Sequence, residues 1–296
     1  MNEIYKRYRD RLEQGIGFLP DKPEENPDST LRALWQVASG EPMSLERAAA
    51  QELPPLTAQS TAALESLLAR RLAGEPLAHI TGRQHFMGLE MLAGPEALVP
   101  RKETELLANA ALRLARGLTA AESPITVLDV CTGSGNLALT LAHNLPGARV
   151  FAADISESAI ALARRNASHL GLQDRVEFRT GDLLQPFATP EFLGQVHLLV
   201  CNPPYITSTR VGQMPAEISQ REPRLAFDGG PFGISIVGRL LTEAPRWLRP
   251  GGWLAFEVGL GQGELLLKRM KSSGSFREIE PVPDSSGAVR GLVAQR

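Results

Sequence analysis

Apolar residues follow two different rhythms along this chain, and the change comes near residue 85. Before it, Leu31 to Ala38, Leu45 to Glu52 and Ala58 to Leu72 repeat apolar positions at a spacing near 3.6, the period of helices with one buried face. Glu41-Pro42 and Leu53-Pro54-Pro55 punctuate these helices, and the polar stretch from Asp21 to Pro27 predicts a surface loop. Phe86, Leu89, Met91, Leu92 and Leu98 then supply the apolar side of a strand pair over residues 80–100, and a helix follows from Glu103 to Leu118. After that, short β-branched or apolar runs alternate with helical patterns. Ile125–Val130, Arg149–Ala153, Arg175–Arg179, Val196–Cys201 and Gly252–Val258 read as strands. Asn136–Leu145, Glu157–Leu170, Ser235–Leu248 (kinked near Pro245) and Gln262–Lys271 read as helices. Phe276–Pro281 and Val289–Gln295 predict a closing antiparallel hairpin. The expected organisation is a small helical bundle over residues 1–85 and a larger α/β domain over 86–296.

The first place that carries candidate chemistry follows the strand Ile125–Val130. Cys131-Thr132-Gly133-Ser134-Gly135 makes a turn into a helix, and Gly133 and Gly135 permit positive φ and close approach of a ligand to the backbone. Open α/β sheets hold cofactors here, beyond the carboxyl ends of their strands. The next strand runs into Asp154-Ile155, where an acidic residue suits the two hydroxyls of a ribose. The third is followed by Gly181-Asp182-Leu183, placed to reach an adenine ring. A glycine turn by itself is weak evidence, since nicotinamide and nucleotide folds use similar loops. This one lacks the Gly-x-Gly-x-x-Gly spacing, and no Gly-Lys-Ser/Thr phosphate loop is present. The series Asp129, Gly133, Gly135, Asp154 and Asp182 says more. It resembles the binding site of an S-adenosylmethionine methyltransferase.

The second place is Asn202-Pro203-Pro204-Tyr205, at the end of the buried run Val196–Cys201. The Asn side-chain oxygen can accept one hydrogen bond from an NH2 group, and the first Pro carbonyl can accept the other. Two successive prolines hold the backbone extended and remove competing N–H donors. The Tyr ring can pack on the plane of an amide or a base. Amide and aromatic amine nitrogens are poor nucleophiles because their lone pair is delocalised. Two acceptors placed this way favour a pyramidal nitrogen with its lone pair aimed at an electrophile. A plain strand-ending turn fits the same four residues, since Asn and Pro are common turn residues.

Taken with these motifs, further segments point to one family. Gly74-Glu75-Pro76-Leu77-Ala78-His79-Ile80-Thr81-Gly82, Val99-Pro100-Arg101-Lys102-Glu103-Thr104-Glu105, Glu222-Pro223 followed by Gly229-Gly230, and Pro250-Gly251-Gly252 opening a strand to Glu257 with Gln262 beyond all fit it. With them the chain resembles the HemK/PrmC protein-(glutamine-N5) methyltransferases, which modify the Gln of the GGQ loop in peptide-chain release factors. The resemblance implies a class I fold with a Rossmann-like seven-stranded sheet and an N-terminal bundle that helps to dock the protein substrate. It implies S-adenosyl-L-methionine bound at Asp129, Cys131, Thr132, Gly133, Ser134, Gly135, Asp154, Ile155, Asp182, Leu183 and Asn202, leaving S-adenosyl-L-homocysteine as product. The substrate amide would meet Asn202, Pro203, Pro204 and Tyr205 in a direct in-line transfer, with Tyr205 packing rather than taking a proton. Arg101 and Glu103 would line the mouth, although an exposed helix start with acidic residues fits them nearly as well. The chain departs from the family pattern at His79, Lys102, Cys131 and Pro231-Phe232-Gly233. Cys131 replaces the usual first Gly of the loop and is expected to fit with a negative φ.

Composition narrows the picture. Hydrophobic residues make up 43% of 296, enough for a real core. The net charge of −2 gives no basic footprint for direct nucleic-acid binding. No stretch is long and apolar enough to span a membrane, and Met1 to Lys6 lack the apolar core of a signal peptide, so a cytoplasmic monomer is expected. With five His and two Cys no metal constellation is visible, and Cys131 and Cys201 read as small buried residues. Two alternatives share the motifs. One is a base-amino methyltransferase acting on nucleic acid. The other is a relative acting on a small molecule or another protein.

Overall fold

In the computed structural model, which describes residues 2–19, 22–121 and 123–296, the chain opens with α1 (Asn2–Gly15), α2 (Pro27–Ala38), α3 (Leu45–Ala49), α4 (Ala58–Leu72) and α5 (Leu77–Thr81). Asn26 and Thr57 start α2 and α4 through reciprocal capping boxes with Ser29 and Ser60, and Pro27 stands in the first turn of α2, where an N–H is not needed. Tyr8, Leu12, Leu34, Trp35, Leu64 and Leu68 belong to this region's own core. The pattern of apolar positions does not announce α1. Tyr8 and Leu12 are its fully buried apolar side chains, and the charged residues around them dilute the stripe. α3 ends three residues before the expected Glu52. The carbonyls of Glu52 and Pro54 accept hydrogen bonds from Gln36 Nε2 and Trp35 Nε1, each at 2.8 Å, and Pro54 and Pro55 disfavour a helical approach. α5 is too short to show a period; Gly82, with φ of +67°, ends it.

The expected surface loop at 21–27 begins at Asp21, outside the described residues, and its next residue corrects the expectation. Lys22 is 4% exposed. Its Nζ lies 3.1 Å from Glu217 and 3.4 Å from Glu25, while Arg71 reaches Glu217 at 2.8 Å and Glu25 at 3.1 Å. Two cations and two carboxylates therefore neutralise one another in a buried cluster. Glu217 comes from α10 (Ala216–Ser219), which with α9 (Ser208–Val211) lies in the long segment after the fourth strand of the main sheet. A polar composition suggested solvent; mutual pairing let the charges go inside.

β1 (Arg83–Phe86) and β2 (Leu89–Leu92) form the expected pair, turning through Met87 and Gly88 at φ of +51° and +82°. α6 (Thr104–Ala121) leads into the sheet strands β3 (Ile125–Val130), β4 (Ala148–Asp154), β5 (Val176–Thr180), β6 (Val196–Cys201), β7 (Leu248–Glu257), β8 (Arg277–Pro283) and β9 (Val289–Gln295). Their order is β5-β4-β3-β6-β7-β9-β8, parallel from β5 to β7 and antiparallel at β9 and β8. The connecting helices are α7 (Asn136–Asn144), α8 (Glu157–His169), α11 (Ser235–Glu243) and α12 (Gly263–Ser273). Every side chain of β6 is buried, as a central parallel strand covered on both faces requires. α11 is shorter than expected, giving way to a single 3-10 turn at Ala244–Arg246 because Pro245 has no N–H to continue the helix. β7 starts earlier than Gly252. Leu248 pairs with Val196, and the register then shifts before Trp253 pairs with Leu198, which lets Pro250 and Gly251 sit in an irregularity of the strand. No helix among the described residues is long and apolar enough to cross a membrane.

Removing one partner from a buried charge cluster costs about 3–5 kcal/mol, because the opposite charges stay inside uncompensated. Glu217→Ala, which leaves Lys22 and Arg71 with Glu25 alone, is expected to lose that much in a urea titration at neutral pH. Burial raises the Glu217 pKa, but Lys22 and Arg71 outweigh it and the net shift is downward. The contribution is therefore complete above the ordinary glutamate value of 4.5 and is lost as pH falls through the lower folded value. A loss under about 1 kcal/mol would mean that the cluster behaves like a surface pair.

Candidate active site

Strand register brings the candidate residues to one edge. Val130 of β3 is level with Ala153 of β4 on one side and Cys201 of β6 on the other. The next residue of each strand end is Cys131, Asp154 and Asn202. The chain leaves β3 for β4 in one direction and later adds β6 on the opposite side, so this is the switch point where open α/β sheets hold ligands.

Two carboxylates shape the turn after β3. Asp154 accepts Gly133 N–H and Ser156 N–H, both at 2.9 Å. Asp129 accepts the Thr132 hydroxyl at 2.5 Å and Ala138 N–H at 3.0 Å. Asp129 is fully buried, and burial pushes its carboxyl up to about 7, with Asp154 adding to the shift and the two hydrogen bonds opposing it. Burial also raises Asp154, against the hydrogen bonds it accepts. Cys131 corrects the expectation of a negative φ, since it lies at +59° in the left-handed region. The turn needs that conformation here, and a side chain adopts it at a cost of roughly 1–2 kcal/mol. Cys131 also differs from its reading as a buried filler. It is half-buried and lines a cavity, whereas Cys201 is buried as expected and has its thiol pushed up by that burial, with Cys131 adding to the shift.

The cavity has a volume of about 210 Å³ and is lined by Cys131, Thr132, Gly133, Ser134, Asp154, Ile155, Asp182, Leu183 and Asn202, among others. Asp129 and Gly135 are not on its wall. They lie behind it: Asp129 anchors the turn, and Gly135, at φ of +85°, lets α8 approach so closely that a Cβ would stand 3.2 Å from Ala163. Asp182 sits at the rim, paired with Arg239 at 2.9 Å. Loop amides, a carboxylate beside Gly133 and the apolar Ile155, Ala159, Leu183 and Ile236 suit an elongated ligand carrying a ribose and a flat ring. No group of His, Cys, Asp or Glu among the described residues is arranged to hold a metal ion.

A second cavity, about 110 Å³, adjoins the first. Arg101 and Asn202 line both, Pro204 lines the first, and Glu103, Pro203, Tyr205, Phe227, Glu257 and Arg290 line the second. Asn202 donates from Nδ2 to Thr104 Oγ1 at 3.1 Å, and Thr104 donates to Glu257 Oε2 at 2.7 Å. Tyr205 donates its hydroxyl to Glu257 Oε1 at 3.0 Å. Burial, and then the Glu257 charge, raise the Tyr205 phenol, so it serves as a neutral donor rather than a base. Arg101 is no exposed helix start: its side chain is 11% exposed and bonds Glu222 at 2.6 Å, while Glu222 also accepts Val99 N–H at 2.8 Å. Gln262 Nε2 donates to the carbonyls of Tyr205 (2.9 Å) and Gly233 (3.1 Å), and its Oε1 accepts Gly259 N–H at 3.0 Å, clamping three loops. Thr104, Glu222, Glu257 and Gln262 stand in sequence segments that fit the family, but the one-dimensional pattern gave them no role. Arg239 and Arg290 carried no signal at all, because each reaches the site from an element remote in sequence.

Residues 10–82 match the PrmC N-terminal domain, and residues 121–275 match a methyltransferase domain. The release factor glutamine methyltransferase of Moorella thermoacetica is 39% identical over 88% of this chain and 88% of its own length. That of Geobacter sulfurreducens is 37% identical over 93% and 91%. Among solved structures, the N-terminal domain of human METTL16 in complex with SAH superposes with a TM-score of 0.51 at 18% identity, covering 75% of this chain and 81% of that one, a likeness of fold. Fold, matched domains and the extent of identity agree, and the chain belongs to the release factor glutamine methyltransferase family, on an α/β class I methyltransferase fold that uses S-adenosylmethionine.

Proposed function

We propose that this chain transfers a methyl group from S-adenosylmethionine to the side-chain amide nitrogen of a glutamine in peptide-chain release factors, at their GGQ loop. The observation that carries the reading is the position of Asn202, on the wall shared by two adjoining cavities, with its NH2 engaged by Thr104. One cavity suits the cofactor and the other an amide side chain. Gly133, Ser134, Asp154, Ile155, Asp182 and Leu183 hold the cofactor, with Asp154 on the ribose hydroxyls. When bound, S-adenosylmethionine supplies an electrophilic methyl group.

The remaining work falls to the chain. Asn202 Oδ1 and the Pro203 carbonyl accept the two hydrogens of the glutamine NH2 and orient its nitrogen. Holding two reactants in this way is worth about 7–11 kcal/mol of barrier without any strong base. The nitrogen grows acidic as it gains a methyl group, and its proton can pass to water. Tyr205 forms a wall of the amide pocket, its hydroxyl fixed on Glu257. Residues 1–85 form a docking platform for the protein substrate, coupled to the segment beside the amide pocket through Lys22, Arg71 and Glu217. The reaction takes place in the cytoplasm, with the enzyme as a monomer.

Two substitutions separate cofactor holding from transfer. A charge-assisted hydrogen bond contributes about 1.5–3 kcal/mol. Asp154→Ala is therefore expected to weaken S-adenosylmethionine binding about tenfold or more by calorimetry. Unchanged affinity in the folded variant would remove Asp154 from the ribose. Asn202→Ala is expected to keep the cofactor and to lose transfer by roughly 10²-fold or more in single-turnover assays with a release factor, the scale of a lost orienting group. Asn202→Asp keeps an acceptor and should lose less. Near-normal transfer by Asn202→Ala would reduce the tetrapeptide to a turn.

A further inference from the structure

We propose that Thr104 is a positioning residue that decides which end of the Asn202 amide faces the methyl acceptor, with Glu257 holding the Thr104 hydroxyl in the one direction that achieves this. The proposal rests on the reading of Asn202 given above.

The two ends of an asparagine amide are alike in size and opposite in hydrogen bonding. With Oδ1 toward the substrate, Asn202 accepts from the glutamine NH2. Turned over, it would set N–H against N–H and repel the group it must hold. Shape alone does not select between the two, so a directional partner is required. The Thr104 hydroxyl has a single proton. Glu257 Oε2, at 2.7 Å, takes it, and an ionised carboxylate can only accept. Thr104 then has only lone pairs to offer Asn202, which must meet it with Nδ2 at 3.1 Å. No described residue donates a hydrogen bond to the opposite end of the amide, which leaves Oδ1 for the substrate.

The surroundings keep this direction. Glu257 is 2% exposed and its second oxygen already accepts the Tyr205 hydroxyl at 3.0 Å, so both oxygens are committed. Burial raises the Glu257 carboxyl above its ordinary value and Glu103 adds to the shift, while the Thr104 and Tyr205 donors and the Arg290 charge oppose it; the direction rests on the geometry, in which each carboxylate oxygen receives one hydroxyl. Thr104 itself is 1% exposed at the first turn of α6, where its N–H bonds the Arg101 carbonyl at 3.1 Å. Its hydroxyl is thus delivered by a helix start rather than a mobile loop.

A purely structural tie would weaken the protein without caring which way the amide points. Asn202→Asp separates the two ideas, because a carboxylate has no wrong end. With the full-length enzyme, saturating S-adenosylmethionine and a release factor, Thr104→Val is expected to slow single-turnover transfer about 30-fold, and Thr104→Ser by less than about threefold. Cofactor affinity should change by less than about threefold in both. In the Asn202→Asp background, Thr104→Val should add less than about threefold. Transfer by Thr104→Val close to that of the parent, or an equal loss in both backgrounds, would overturn the proposal. A second measurement needs neither folding of the valine variant nor a correct choice of substrate. In the unaltered protein labelled with ¹⁵N-asparagine, the Asn202 NH2, identified by its absence in Asn202→Asp, should exchange its protons more slowly than a free asparagine amide. Exchange at the free rate would contradict the tie to Thr104. If the unaltered enzyme labels no release factor while its Asn202 NH2 is protected, the substrate reading fails and the relay stands.

Discussion

The parallel register of β3, β4 and β6 is the constraint on which the site depends. Because Val130 is level with both Ala153 and Cys201, the residues that follow these strands emerge side by side at the carboxyl edge. Asp154 can then bond the amide of Gly133, and Asn202 can stand against the same cavity, although the two residues are far apart in sequence. A slip of one residue in any of these strands would send its terminal side chain to the opposite face of the sheet and away from the others. Asp129, inside β3 and bonded to Thr132 and Ala138, ties the register of that strand to the turn that follows it.

Around that edge, buried carboxylates are used to fix backbone and side chains rather than to react. Asp129 and Asp154 hold the turn after β3, Glu222 holds the segment at Val99 and Arg101, and Glu257 gathers Thr104 and Tyr205. Each is acceptable inside because donors surround it; an isolated carboxylate in the same place would be far more costly. The same logic joins the N-terminal region to the catalytic part. Lys22 and Arg71 on one side meet Glu217 on the other, beside a segment that also contributes Phe227 to the amide cavity. Leu19 adds an apolar contact to the same segment, packing against a small cluster that includes Val211, Ile218 and Phe227.

Much of this could be read along the chain. The strands that carry the site have continuous apolar runs, and α4 and β6 have the bounds that periodicity expects. The glycine turn and Asn202-Pro203-Pro204-Tyr205 are local signals, since their conformational demands lie within a few residues. Features that depend on distant partners were not legible. Lys22 looked solvated because its composition is polar, and only Glu25, Arg71 and Glu217 together make its burial acceptable. Cys131 was expected at negative φ from its side chain, but the geometry of the turn prevailed. α1 escaped because a helix that buries little leaves a faint stripe. The part Asp129 plays in the turn is not legible either, because its carboxylate meets Thr132 and Ala138 only once the turn has closed.

The central claim is that the nitrogen held at Asn202 belongs to a glutamine side chain of a release factor. The most direct test is to incubate the enzyme with S-adenosylmethionine and an unmodified release factor and to locate the methyl group by fragmentation mass spectrometry. The account predicts a single methyl group on the side-chain amide of the GGQ-loop glutamine. Methylation of another residue type, or an unlabelled release factor alongside enzyme that binds the cofactor, would contradict it.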